Sequence, residues 1–137
     1  MNNSTPPTSL RLRKRHRLAH DNDYAAVFRA KVRKHRGPVT VFARPNGLEH
    51  HRLGLSIGRR FGLGVRRNAL KRQLREAFRI NQHRLPGAYD FIITARAHDI
   101  QNLDWYADTL TTLAVKIHRV WTERQSHHAP PSRTEPR

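Results

Sequence analysis

Apolar positions recur at helical spacing in three stretches of the chain and at strand spacing in three more. Tyr24, Val27 and Phe28 stand at i, i+3 and i+4 behind Asp21, Asn22 and Asp23, which predicts a short helix over 21–28 opened by an Asp or Asn cap. From Val65 to about Arg84 the period is again helical, and Leu70, Leu74, Ala77, Phe78 and Asn81 gather within about 100° of the wheel as a core-facing stripe. Pro86 and Gly87 end that helix. A last helix begins near Asp104, read as its cap, and carries Tyr106, Leu110, Leu113, Ile117, Val120 and Trp121; its expected role is packing.

The strand-like stretches alternate with period two. In VTVFAR, Val39, Val41 and Ala43 share one face and Thr40, Phe42 and Arg44 the other. In RLGLSI, Leu53, Leu55 and Ile57 are expected to point inward, and Arg52, Gly54 and Ser56 outward. The Pro45-Asn46-Gly47 turn between the two runs predicts a hairpin. The run DFIITA at 90–95 is apolar on both faces, as a central strand requires. The coarse order is helix, two or three strands, helix, strand, helix, an α+β arrangement in one domain spanning 16–124. Residues 1–15 are expected to be a disordered basic extension, and 125–137 (QSHHAPPSRTEPR) a disordered tail in which His127 and His128 are too few ligands for a metal site.

Charge changes the picture more than composition does. The 137 residues hold 27 Lys or Arg against 10 Asp or Glu, a net charge of +17 that makes sense beside a polyanion. No run approaches the roughly 20 apolar residues of a membrane span, and MNNSTPPTS lacks the apolar region of a signal peptide, so a cytoplasmic protein that avoids membranes is expected. Without cysteine there is no disulfide framework, thiolate metal site or thiol nucleophile. The charge is also uneven: residues 11–36 hold ten Lys or Arg against two Asp, residues 59–84 nine against one Glu, and residues 85–124 four against five acids. The first two segments therefore supply a binding surface and the third a scaffold.

The strongest local signal is GRRFGLGVRRNALKRQLREAFR, from Gly58 to Arg79, a glycine-bearing loop leading into a basic amphipathic helix. Position 67 is Arg where a dinucleotide-binding loop needs Gly, and no Gly-Lys-Ser/Thr follows for a nucleoside triphosphate, so no organic cofactor is expected. An RNA phosphate at the helix N-terminus fits the free N–H groups and the dipole. Arg67, Lys71 and Arg75 form a like-charge ladder at i, i+4 spacing, which costs helix stability unless anions neutralise it. Arg outnumbers Lys six to one over 66–84, as bidentate phosphate contacts favour. The carboxylates are scattered and offer no acid–base pair, so no protein side chain is expected to be catalytic and no protein metal site is expected. Tyr24 and Phe28, one turn apart, fit either a core or a single-strand groove in which bases stack on rings flanked by Arg, and Phe42 can join them.

These residues resemble the bacterial ribonuclease P protein component. The likeness rests on RLGLSIGRRFGLGVRRNALKRQLREAFR (52–79), with HRLAHDNDYAAVF before it and YDFIITAR after it, and covers roughly residues 16–121. It implies a small two-layer α/β sandwich in the order α-β-β-β-α-β-α, with the rare left-handed strand-helix-strand crossover also found in the second domain of a small-subunit ribosomal protein. It also implies that the protein binds a catalytic RNA and that the two together remove the 5′ leader of precursor tRNA, with hydrolysis performed by the RNA and its Mg²⁺. Carried over residue by residue, the Arg-Asn motif facing the RNA is Arg67 and Asn68, followed by Lys71, Arg72 and Arg75. Arg59 and Arg60 match the basic pair before the glycine loop. The aromatic pair of the leader cleft is Tyr24 and Phe28, with Phe42 as a third member. Two positions depart from the pattern: Ala69 stands where a second basic residue is usual, so that one contact is absent or passes to Arg66, and Gly64 stands where Ala is common. The alternative reading is a ribosomal or other structural RNA-binding protein, which shares the charge and needs no aromatic cleft.

Overall fold

The computed structural model describes residues 12–128. Seven main elements follow in the order α1 (Asp21–Ala30), β1 (Arg33–Arg36), β2 (Val39–Pro45), β3 (Arg52–Ser56), α2 (Gly64–Asn81), β4 (Tyr89–Ala95) and α3 (Leu103–His128), with short 3₁₀ turns at Lys14–His16 and Arg59–Phe61. The strands form one sheet in the order β1-β2-β4-β3. β1 and β2, and β2 and β4, pair antiparallel, whereas β3 and β4 pair parallel with α2 connecting them.

The expected hairpin between VTVFAR and RLGLSI does not form, because β4 lies between β2 and β3. The reason is the composition of β4: Phe91, Ile92 and Ile93 are all buried and require a neighbour on each side and a cover on each face. The Asn46-Gly47 turn instead opens a loop that crosses to β3, with the Leu48 N–H donating to Asn46 Oδ1 at 2.8 Å. The hairpin of this sheet joins β1 to β2 through Gly37, at φ 57°, and Pro38. Strand β1 (RKHR) has no apolar alternation by which a sequence reading could find it.

One face of the sheet carries the main core, in which Val39, Val41, Ala43, Leu53, Phe91 and Ile93 meet Leu70, Leu74 and Phe78 of α2 and Tyr106, Leu110, Leu113 and Ile117 of α3. The predicted inner stripe of α2 matches its buried residues, Leu70, Leu74, Ala77, Phe78 and Asn81. The other face carries a smaller cluster in which Val27 of α1 and Leu18 cover Ile92, with Tyr24, Phe28 and Phe42 half-buried around them. Helix α1 thus covers only part of this face.

Several local expectations shift. Asp21 and Asp23 lie in the first turn of α1 and His20 occupies the cap position without a side-chain hydrogen bond. In α3 the capping group is Asn102, whose Oδ1 accepts from the Trp105 N–H at 2.9 Å, and Asp104 is a first-turn acid. Leu55 is only half-buried, and Gly54, on the opposite face as expected, is buried because Tyr24 packs on it. Described structure also extends past the expected boundaries. Leu12 packs against the core, Lys14–His16 forms a turn, and the Leu18 N–H donates to Leu53 O at 2.9 Å. At the other end α3 continues to His128, since no helix breaker precedes Pro130. The remainder of the two expected disordered segments, residues 1–11 and 129–137, lies outside the described residues.

Candidate nucleic-acid interface

Helix α2 begins without a side-chain cap and without an acid in its first turn, so its positive end and unpaired N–H groups face outward. The preceding Arg59–Phe61 turn is anchored by Phe61, which is buried against the core, and leaves Arg59 and Arg60 exposed. Gly62 takes φ 146°, a conformation open to glycine and strained for other residues. It lies 3.2 Å, measured from the place a Cβ would occupy, from Arg66 Nε. Arg66 itself is turned inward: its Nη2 donates to His98 O at 2.8 Å and its guanidinium sits 5.2 Å from the Phe61 ring centroid. It braces the loop after β4 and leaves Arg67 as the forward cation of the pair.

Along α2 the remaining residues divide between two adjoining grooves. Asn68, Arg72 and Arg75 line one of about 470 Å³ together with Leu12, Glu76 and Arg79. Glu76 is engaged by Arg79, with the Nε to Oε1 contact at 2.9 Å and a second contact from Nη2 to Oε2, and the guanidinium beside it holds the Glu76 carboxyl below its ordinary range. Lys71 and Arg75 line the second groove, of about 130 Å³, together with Arg17, Leu18, Tyr24 and Leu55. Arg75 therefore belongs to both, and the basic stripe of α2 runs up to the aromatic residue of α1.

The aromatic cleft is assembled across the sheet. Phe28 and Phe42 meet edge to face with centroids 4.8 Å apart, and the Arg33 guanidinium lies 5.8 Å from the Phe42 ring centroid. Tyr24 lies directly over Gly54, where a Cβ would come within 2.8 Å of Tyr24 Cζ and Oη. Two residues along from the Phe42–Ile92–Gly54 row, His35, Thr40, Thr94 and Ser56 form a polar row on the uncovered part of the same face. At the other end Arg52 donates to both oxygens of buried Asp90, at 2.8 and 2.7 Å, and lies 3.6 Å from Asp23 of α1, which ties α1 to the sheet.

This combination of a basic helix, parallel strands on either side of it and an aromatic cleft can be compared with known proteins. The family model for ribonuclease P matches residues 12–118. The chain belongs to the ribonuclease P protein family. The ribonuclease P protein component of Syntrophobacter fumaroxidans is 37% identical over 114 residues, covering 81% of this chain and 93% of that protein. That of Chromobacterium violaceum is 40% identical over 90 residues, covering 65% and 74%. Among solved structures, the RNase P protein from Thermotoga maritima superposes with a TM-score of 0.64 at 29% identity, covering 70% of this chain and 92% of that one. The RNase P protein of Staphylococcus aureus gives 0.65 at 27% identity, covering 77% and 96%. Membership makes this chain the protein part of an endoribonuclease that processes tRNA and has an RNA partner.

For a ribonuclease P protein the disposition of acids bears on the reaction's metal. Asp90 is held by Arg52 and by Asn46, whose Nδ2 donates at 3.0 Å; Asp108 is paired with Arg36 at 2.6 Å and Glu76 with Arg79. Among the described residues, no three His, Asp or Glu are grouped so as to hold a metal ion, and these carboxylates are already neutralised by guanidinium groups. They do not fit a Mg²⁺ site. No helix among the described residues is long and apolar enough to cross a membrane. Sequence reasoning did not single out Arg17 and Arg33 within the interface. Arg17 was hidden in a uniform basic run, and Arg33 reaches Phe42 only through the β1–β2 register.

Proposed function

We propose that this chain grips the catalytic RNA of ribonuclease P with α2 and the turn before it, and holds the single-stranded 5′ leader of precursor tRNA in the cleft between α1 and the sheet. The observation that carries this reading is the groove shared by Tyr24 with Lys71 and Arg75, which joins the aromatic cleft to the basic stripe. On the RNA side the contacts belong to Arg59, Arg60, Arg67, Asn68, Lys71, Arg72 and Arg75. Arg66 contributes through the loop it braces, and Ala69 leaves its usual basic contact unmade. On the leader side, bases stack on Tyr24 and Phe28, with Phe42 behind them and Arg33 near the backbone.

In this reading Mg²⁺ is held by the RNA, since Asp90, Asp108 and Glu76 are committed to ion pairs. The protein's part is to bind, to orient the leader and to offset phosphate repulsion, which lowers the Mg²⁺ the RNA requires. A cytoplasmic setting goes with that role. The test is reconstitution with the cognate catalytic RNA at low Mg²⁺. Added protein should restore cleavage of precursor tRNA and should favour precursor over mature tRNA in binding, while the protein alone cleaves nothing. Equal binding of precursor and mature tRNA, with no change in Mg²⁺ requirement, would favour a structural RNA-binding role instead.

A further inference from the structure

A cleft of about 620 Å³, larger than either groove on α2, opens beside the Leu12–Leu18 segment, between the β2–β3 loop and the loop after α2. The charged and titratable groups lining it come from all three: Arg13, Arg15 and His16 from the first, Glu49, His50 and His51 from the second, and His83 from the third. Arg13, Arg15 and Glu49 make no ion pair among the described residues. His51 is committed to the fold, since its Nε2 donates to Leu85 O at 3.1 Å and its Nδ1 accepts from the Tyr89 N–H at 3.0 Å. His50 donates through Nε2 to Arg15 O at 3.1 Å, which leaves its Nδ1 without a protein partner. His16 packs edge-on against it, with centroids 5.1 Å apart, and its buried Nδ1 has no hydrogen-bond partner.

Two guanidinium groups and three imidazoles besides His51 thus surround one space against a single carboxylate. Burial first, and then His50, Arg15, Arg13 and His83, hold the His16 imidazole below its ordinary value, so the groups around the cleft act on His16 through it. An anion placed there neutralises the guanidinium groups and lets the imidazoles take up protons. Leu12, next in the chain to Arg13, lines the α2 groove with Asn68, Arg72 and Arg75. Consecutive residues of one segment, Leu12 and Arg13, thus line the α2 groove and this cleft.

We propose that this cleft is a binding site for a phosphodiester group of RNA and that its occupancy is coupled to protonation of His16, His50 and His83. The assignment to RNA rests on α2 being the RNA-binding helix. A phosphodiester stays singly charged across neutral pH, so any pH dependence of its binding comes from the protein. The phosphate belongs to either the catalytic RNA or the precursor tRNA.

The test uses the full-length protein, a six-nucleotide uridine oligomer and inorganic phosphate, followed through the histidine ring resonances between pH 8 and pH 6. The oligomer should raise the titration midpoint of His16 and bind several-fold more tightly at pH 6. The double variant Arg13→Ala/Arg15→Ala should lose both effects while the Tyr24 resonances still respond to the oligomer. The variant His50→Gln/His83→Gln, both positions being at least partly exposed, should bind with much reduced pH dependence and an unchanged melting temperature. Separate titrations of the catalytic RNA and the precursor then identify the source: the owner should lose several-fold affinity for Arg13→Ala/Arg15→Ala. Unmoved histidine midpoints overturn the proposal, as does a response to inorganic phosphate with neither RNA affected. Should Arg67→Ala weaken RNA binding while Arg13→Ala/Arg15→Ala does not, the α2 reading stands and this one fails.

Discussion

Gly54 and Tyr24 depend on each other. A methyl group at position 54 would lie 2.8 Å from the Tyr24 ring, closer than packed atoms tolerate. Gly54→Ala should therefore displace Tyr24 at a cost of about 1 to 3 kcal/mol, the usual range for overpacking, and lower affinity for precursors with long leaders more than for those with a one-nucleotide leader. Tyr24→Leu and Phe28→Leu test the same cleft from the other side, since they keep apolar volume and remove the π face. Each should cost about 1 to 3 kcal/mol of leader binding if a base stacks there. A decrease that is equal for long and short leaders, and that follows melting temperature, would return the residues to a purely structural role.

His51 supplies a residue-scale pH dependence. Burial lowers its pKa from the ordinary 6.5, and its two ring nitrogens are used as one donor and one acceptor, which only the neutral ring can provide. The unfolded chain takes up a proton as pH falls through about 6.5, while folded His51 resists, so its contribution is present above that pH and is lost below it. Urea midpoints should therefore fall between pH 7 and pH 5. His51→Phe should flatten the part of that fall due to this ring, while lowering stability at pH 8 because the Tyr89 N–H loses its acceptor.

At the scale of the element, α2 carries a packing stripe on one face and a basic stripe on the other. The inner stripe was legible because burial imposes a 3.6-residue period on apolar positions. The outer stripe was legible because like charges at i, i+4 spacing make little sense without an anionic partner. Arg67→Ala and Lys71→Ala should each weaken binding of the catalytic RNA and reduce the salt dependence by roughly 0.7 to 0.9 in log–log slope for every phosphate that the variant leaves unneutralised. Arg119→Ala, at an exposed position of α3, should do neither. Arg66→Ala should act differently from Arg67→Ala: by releasing the hydrogen bond to His98 O it should lower melting temperature as well as RNA affinity.

For the molecule as a whole, the sheet places α1 on one face and α2 and α3 on the other, and the ion pair between Arg52 and Asp90 fixes the seam between β3 and β4 beneath α1. Asp90 is 1% exposed, so Asp90→Asn leaves the Arg52 charge without its main partner. The cost should be about 3 kcal/mol, at the low end for a broken buried pair because Arg52 retains some solvent. Calorimetry should show the destabilisation, and binding of long leaders should weaken with it as Asp23 and α1 lose their anchor.

The sequence by itself determined the helices, the inner face of β2, the central placement of DFIITA and the segregation of positive charge, since each is written in local periodicity or composition. Its resemblance to a known family fixed the number of strands and gave the candidate residues their roles. Pairing was decided by tertiary structure alone. The Asn46-Gly47 turn is compatible with a hairpin, and only the need of β4 for two neighbours and two covered faces separates β2 from β3. The same long-range pairing brings Arg33 to Phe42 and Gly54 under Tyr24, and only packing turns Arg66 inward to His98 and gathers His16, His50 and His83, from three separate segments, around one cleft. Such arrangements depend on residues far apart in the chain, and no local pattern encodes them.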